Sequence, residues 1–244
     1  MMLEQTLSTL NKLALYGMAK SLAQRLAQPA HADLTHEEFV GLLVQDEQSD
    51  RDNRRLQRLL KFAKLRQSAS LEDVDFKHPR GLTKQVFQEL ASPAWITRGH
   101  NVLFTGPTGI GKSWLACALG NFAARQGFTV LYFRAPRLFE ALNQSRADGS
   151  RLKLLAKFAR VQLLIVDDIF LTPLADTERA DLLEIIEDRH ATVATVFTSQ
   201  LATKHWHTAI GEPTLADALC DRLFQRAFKI ELRGDSLRKP KDPE

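Results

Sequence analysis

Lys112 and Ser113 close the octapeptide Gly106-Pro107-Thr108-Gly109-Ile110-Gly111-Lys112-Ser113. Those residue types at that spacing suit the holding of a polyphosphate. The glycines let the backbone curl so that successive N–H groups converge on β- and γ-phosphate oxygens, and a helix starting there adds the positive end of its dipole. Lys112 brings a cation to the same oxygens. The Ser113 hydroxyl is a hard oxygen ligand for magnesium, which demands near-octahedral geometry and keeps most of its waters. Trp114, next to Ser113 in the helical pattern that runs to Arg125, completes the candidate nucleotide contacts. The expected ligands are ATP and Mg²⁺.

A phosphate loop of this kind needs a carboxylate on another strand. Leu163-Leu164-Ile165-Val166-Asp167-Asp168, about 50 residues further on, is an aliphatic run ending in two. In parallel sheets the ligand lies beyond the carboxyl ends of the strands, so a carboxylate there points at the phosphates. Asp167 is the expected magnesium ligand, directly or through water, and Asp168 the group that polarises the attacking water. The run Val196-Phe197-Thr198-Ser199-Gln200 ends a further strand, whose polar tip could read the γ-phosphate; Ser199 and Gln200 are the candidates, with Thr198 in reserve.

Phosphoryl transfer also calls for positive charge beyond lysine and magnesium. Arg222, in Asp221-Arg222-Leu223, is the candidate to reach a neighbouring subunit's nucleotide, with Arg226 one turn later as the alternative. The competing assignment for Arg222 is an ion pair with Asp217 or Asp221. Arg238, in Gly234-Asp235-Ser236-Leu237-Arg238, is a candidate for contact in cis. His205-Trp206-His207 places two histidines at i and i+2, which diverge on a helix, and a structural role is expected.

Elements must hold these groups. Apolar runs of strand length at Asn101–Thr105, Thr129–Phe133, Gln162–Asp167, Val193–Ser199 and Phe228–Leu232 alternate with helical segments. That alternation predicts an α/β fold, a five-stranded parallel sheet with helices on both faces. Before it, Leu7, Leu10, Leu13 and Met18 and then Leu22 and Leu26 recur at helical spacing until Pro29, and Thr35-His36-Glu37-Glu38 reads as a capping box with Thr35 as N-cap. Arg51 to Arg66 carries seven basic residues and one acidic one, Asp52. The expected organisation is a small all-helical domain at 1–70, a linker and entry to the core at 71–98, the nucleotide-binding core at 99–238 and a disordered tail at 239–244.

A chain of 244 residues, 44% apolar and 25% charged, has room for such a core. No apolar stretch approaches the length of a membrane span and no signal-peptide pattern opens the chain, so the cytoplasm is the expected compartment. Cys117 and Cys220 lie far apart beside aliphatic residues and read as reduced core thiols. A net charge of +4 permits nucleic-acid binding without demanding it.

Taken together, the phosphate loop, the Asp167-Asp168 pair, the Thr198-Ser199-Gln200 tip and the run from Trp206-His207 through Ile210-Gly211-Glu212-Pro213-Thr214-Leu215-Ala216-Asp217-Ala218 to Asp221-Arg222 resemble the IstB-type transposition helper ATPases. So do Tyr16-Gly17-Met18-Ala19 and the ending Ile230-Glu231-Leu232-Arg233-Gly234-Asp235-Ser236-Leu237-Arg238-Lys239, so the likeness covers nearly the whole chain. These proteins are similar to DnaC-type helicase loaders and belong to the AAA+ class. The resemblance implies an AAA+ ATPase that assembles as an ATP-dependent homo-oligomer on duplex DNA, largely without regard to sequence, and helps a partner transposase. Asp168 stands where many AAA+ ATPases have glutamate, and Gln200 stands beside a position often occupied by asparagine. Arg51, Arg54, Arg55, Arg58 and Lys61 are then the candidate phosphate contacts, giving salt-dependent binding without base readout. Arg134, Arg137, Arg146, Arg151, Lys153 and Lys157 form a second basic set that an oligomer could present to DNA. A helicase loader and an ATP-gated scaffold with little hydrolysis are the alternative readings.

Overall fold

The computed structural model describes residues 2–27, 34–78 and 80–237. Pro29, Arg238 and the tail from Lys239 lie outside them. The chain divides by its contacts into two units, one ending at Arg58 and one beginning at Leu59.

The first unit is helical: α1 (Met2–Lys12), α2 (Tyr16–Leu26) and most of α3 (His36–Ala63), which runs on into the second unit. The capping box at the start of α3 is formed as expected. The Thr35 hydroxyl accepts from the Glu38 N–H (3.2 Å), and the Glu38 carboxylate accepts from the Thr35 N–H (2.9 Å). Gly17 permits a close approach of α2 to α3, because a Cβ there would sit 2.7 Å from the Glu47 Cα. Glu47 is only 6% exposed and accepts from the Met18 N–H (3.1 Å) and from Arg51 (2.6 Å). Burial pushes its carboxyl up, but Arg51 and the N–H groups of Met18 and Gly17 together hold it below the ordinary value.

The second unit holds α4 (Lys84–Leu90), α5 (Ala94–Thr97), β1 (Val102–Thr105), α6 (Lys112–Arg125), β2 (Val130–Arg134), α7 (Ala135–Ala147), α8 (Arg151–Arg160), β3 (Leu163–Ile169), α9 (Asp176–Arg189), β4 (Ala194–Ser199), α10 (Trp206–Ile210), α11 (Pro213–Phe224) and β5 (Phe228–Glu231). The strands form one parallel sheet in the order β2-β3-β4-β1-β5. Four of the predicted strands begin one residue late. β1, β3 and β4 are buried along almost their whole length, the pattern of strands covered on both faces. Because β1 pairs with β4 and β5, and the chain crosses over to β2 at the far edge, the loop after β1 opens where the tips of β3 and β4 end.

Trp206 anchors one face of this core. It is fully buried, donates from its indole N–H to the Leu201 carbonyl (3.0 Å), and stands edge-on to Phe170 and Phe197. Its neighbour His207 faces Asp217 (3.1 Å), so this tripeptide ties α10 to α11. A second buried anchor is Arg189, whose guanidinium donates to the carbonyls of Phe158, Val161 and Ala194 and to the Thr195 hydroxyl. Desolvation lowers its pKa, and these acceptors offset the cost of burying it.

Candidate functional site

The loop from Gly106 to Ser113 connects β1 to α6, and its glycines are required where they stand. Gly106 has φ 138°, and a Cβ there would lie 2.2 Å from the Leu232 carbonyl oxygen; at Gly109, with φ 81°, it would lie 2.0 Å from the Ser236 Oγ. The chain after β5 is what crowds them. Leu232 donates to Thr105 (2.7 Å), Arg233 to Arg80 (3.0 Å) and Leu237 to the Gly109 carbonyl (3.0 Å). The loop also meets Arg80, which is 3% exposed and donates to the Ile110 and Asp75 carbonyls (3.3 Å each). Lys112 is 5% exposed, with Nζ 2.7 Å from the carbonyls of Gly106 and Pro107.

Ser113 and Asp167, 54 residues apart in sequence, meet across the sheet: the hydroxyl donates to Asp167 Oδ1 at 2.8 Å. Asp167 is fully buried and takes two more hydroxyls, Tyr132 on Oδ2 (2.5 Å) and Thr198 on Oδ1. Burial first, and then the bond to Asp167, push the Tyr132 phenol upward, so it stays a donor. Asp168 is aimed elsewhere. The β3–β4 register slips between Val166 and Ile169, and Asp168 adopts φ 60°, a conformation costly for a residue with a side chain. The Thr198 hydroxyl accepts the Asp168 N–H (2.9 Å), and the Asp168 carboxylate pairs with Arg134 (3.1 Å). One bulge thus gives two adjacent carboxylates different environments.

A cavity of 400 Å³ gathers Thr108, Gly109, Gly111, Lys112, Ser113, Trp114, Asp168 and Gln200 with Arg66, Gln67, Arg134, Leu171 and Leu237. Its size is in the range of small-ligand sites. A larger cavity of 540 Å³ lies by Phe62, Leu152, Lys153, Lys157 and Arg160 and has no carboxylate in its wall. The chemistry is in the smaller one. The residues present fit a nucleotide with magnesium: a glycine cradle, a buried lysine at its centre, and a hydroxyl and carboxylate in contact as a hard-oxygen donor pair.

The other predicted site residues distribute unevenly. The Ser199 hydroxyl donates to the Ile169 carbonyl (2.9 Å) and fixes the bulge, whereas Thr198 touches both carboxylate residues. Arg222 lies outside this cavity and pairs with Glu187 on α9 (2.9 Å), a partner not anticipated from its own helix, while also donating to the Ala218 carbonyl. Arg226 sits in the turn before β5 with φ 55°. Arg238 falls outside the described residues. Within the basic run, Arg51 pairs with Glu47 and Arg54 with Asp50 (2.6 Å each), while Arg55, Arg58 and Lys61 are exposed. Much of the second basic set is spent internally: Arg134 on Asp168, Arg137 on Glu140, and Arg146 and Arg151 on the buried Asp181. Lys153 and Lys157 remain exposed.

Residue patterns missed Tyr132 as a partner of Asp167, and Arg66, Arg80 and Arg134 as elements of the site. A signal existed for two of them. Tyr132 and Arg134 sit near the carboxyl end of a strand expected to lie in the same parallel sheet as Asp167, and Arg134 is its register partner.

A parallel sheet of this order, with a phosphate loop after β1 and carboxylates at the tip of β3, defines an AAA+ fold. Solved structures agree. DnaI aligns with a TM-score of 0.59 at 23% identity over 71% of this chain and 92% of that one, and AMPPCP-bound DnaA from Aquifex aeolicus with 0.58 at 18% over 70% and 52%. At that identity the likeness is one of fold. The particular family follows from sequence: the profile of the IstB-like ATP binding proteins matches residues 8–244, and the chain belongs to that family. The insertion-sequence ATP-binding protein y4pL of Sinorhizobium fredii is 46% identical over 239 residues, covering 98% of both chains. The ATP-binding protein of insertion sequence IS1162 from Pseudomonas fluorescens is 48% identical over 202 residues, covering 82% of this chain and 87% of that one. Among the described residues no helix is long and apolar enough to cross a membrane.

Proposed function

We propose that this chain is a Mg²⁺-dependent ATPase that assembles as a homo-oligomer on duplex DNA in the cytoplasm and assists the transposase of its own insertion sequence. The observation that carries the ATPase reading is the 2.8 Å bond between Ser113 and Asp167, which joins the two halves of a metal–nucleotide site from distant segments. Family membership supports the link to an insertion sequence.

In this reading the backbone N–H groups from Thr108 to Ser113 and the start of α6 hold the phosphates, with Lys112 leaving the carbonyls of Gly106 and Pro107 to reach them. Ser113 and Asp167 hold magnesium, which neutralises phosphate charge when bound. Tyr132 and Thr198 fix the Asp167 carboxylate so that it needs no reorganisation on binding. Asp168 orients the attacking water once Arg134 releases it. At the tip of β4, Gln200 on the cavity wall reads the presence of the γ-phosphate with Thr198 in support, and Ser199 braces the bulge. Arg222 exchanges Glu187 for a neighbouring subunit's nucleotide on assembly, and Arg238 adds a contact in cis. Arg55, Arg58 and Lys61, joined by Arg51 and Arg54, supply DNA phosphate contacts. The domain scheme is a helical partner- and DNA-binding region at 1–70, an entry segment at 71–98, the ATPase core at 99–238 and a tail at 239–244.

The Arg134–Asp168 pair favours a second reading, an ATP-gated scaffold with little turnover, because it engages one Asp168 oxygen with a counter-charge in place of a water. Phosphate release with and without duplex DNA, for the wild type, Lys112→Ala and Asp167→Ala, tests the proposal. DNA-stimulated turnover lost in both variants supports it; turnover at background in the wild type moves the assignment to the scaffold; wild-type rates in both variants overturn it.

A further inference from the structure

Arg66 belongs by sequence to the basic run that ends α3, yet its side chain lines the nucleotide cavity beside Gln67, Ser113 and Trp114. Its Nη1 stands 4.0 Å from Asp167 Oδ2, and the side chain is 47% exposed while that of Asp167 is wholly buried. The backbone at Arg66 and Gln67 lies against the Cys117 thiol of α6. Arg134, the other arginine on this wall, is taken by Asp168. Arg66 therefore faces the carboxylate proposed to hold the metal, three residues after the last residue of α3.

A pair at this distance whose arginine is half exposed is weak and easily exchanged. Arg66 and a metal ion compete for the same carboxylate, so when Asp167 turns to the metal the guanidinium needs another anion. The terminal phosphate of a triphosphate, which a diphosphate lacks, offers one of a shape that the planar fork of arginine matches. We propose that Arg66 makes this chain distinguish ATP from ADP and transmits that distinction to the C-terminal part of α3, whose Arg55, Arg58 and Lys61 precede it by five to eleven residues. This rests on the ATP and DNA assignments above. Linkage then requires reciprocity: DNA raises the affinity for ATP over ADP by the same factor by which ATP, relative to ADP, raises the affinity for DNA.

Calorimetric titration of the full chain with Mg-ATP and Mg-ADP, and of duplex DNA in each state, tests this for wild type, Arg66→Gln and Lys64→Gln. The expected result is that Arg66→Gln weakens ATP about tenfold or more, the loss of one charge-assisted contact, leaves ADP within about twofold, and brings the DNA affinities of the two states together. Lys64→Gln, a neighbour outside the cavity, keeps both ratios. Equal weakening of ATP and ADP by Arg66→Gln overturns the proposal, as does an unchanged ratio, an equal loss of DNA affinity in both states, or the same loss of ratio in Lys64→Gln. The melting temperature of the nucleotide-free variant, expected within a few degrees of wild type, separates these outcomes from misfolding. Lys112→Ala is the parallel control. If it binds ATP as the wild type does, the underlying ATP site is refuted rather than the role of Arg66.

Discussion

The nucleotide cavity and the basic stretch of α3 are both rich in charge, yet the two use it differently. Asp167 is wholly buried among three hydroxyl donors, and Lys112 is held by two carbonyls, so each charge has one geometry. On α3, Arg51 and Arg54 lean on acids one turn back, Arg54 also lies 4.9 Å from the Tyr16 ring centroid, and Arg55, Arg58 and Lys61 stand in solvent. The Arg54–Asp50 pair, partly exposed on both sides, contributes little, about 0–1 kcal/mol, and is screened by salt, whereas the buried Glu47 depends more on Arg51. A charge buried among fixed partners is committed to one task, whereas a solvated charge remains available to a ligand that brings its own counter-charge.

Substitutions can break that contrast or sharpen it. The largest effect is expected from Asp168→Asn: turnover falls about 10²–10⁴-fold, the usual contribution of a positioned acid–base group, while ATP binding measured by calorimetry is retained. Loss of binding with turnover would show that Asp168 holds ligand rather than water. Lys112→Ala should follow, weakening ATP by about two orders of magnitude through lost charge-assisted bonds, again read by calorimetry. Asp167→Asn removes the anion that three hydroxyls were placed to serve; the nucleotide-free protein should lose about 1–3 kcal/mol in denaturant unfolding, and added magnesium should no longer strengthen ATP binding.

Charge removal on α3 should act through salt instead of through a single geometry. Replacing Arg55, Arg58 and Lys61 with glutamine should lower the slope of log K for DNA against log salt by about 3, with the melting temperature unchanged. Replacing Arg51 and Arg54 should cost more stability and less slope, because Glu47 and Asp50 would be left behind. An equal slope change in both sets would erase the difference drawn between paired and solvated arginines. The smallest effect belongs to Thr35→Ala, which removes the capping box and should cost about 1 kcal/mol in unfolding free energy.

How far the sequence could be read follows the same divide. The strands were legible because their apolar runs are continuous and end in polar residues, and the phosphate loop because its glycines answer to backbone geometry that no other residue adopts at φ 81–138° without strain. Thr35 was legible because a capping box is local. The partners of the arginines were not. Arg51 to Arg66 looked like one basic surface, but Arg51 and Arg54 are neutralised by acids just upstream, and Arg66 turns into the cavity. Arg146 and Arg151 looked available to DNA, yet both converge on Asp181 of α9, some 30 residues on.

The sequence by itself determined the loop that cradles phosphate, the order of strands and helices, and the pair of carboxylates at the end of β3. Those features depend on residues adjacent in the chain and on a backbone whose conformations are few. Only the tertiary structure decided that Asp167 and Asp168 stand in different environments, that Thr198 rather than Ser199 bonds to them, and which arginines line the cavity. A register slip of the sheet and the crossing of segments tens of residues apart set those contacts, and the strength of an ionic contact is fixed by burial and distance, neither of which a residue's identity carries.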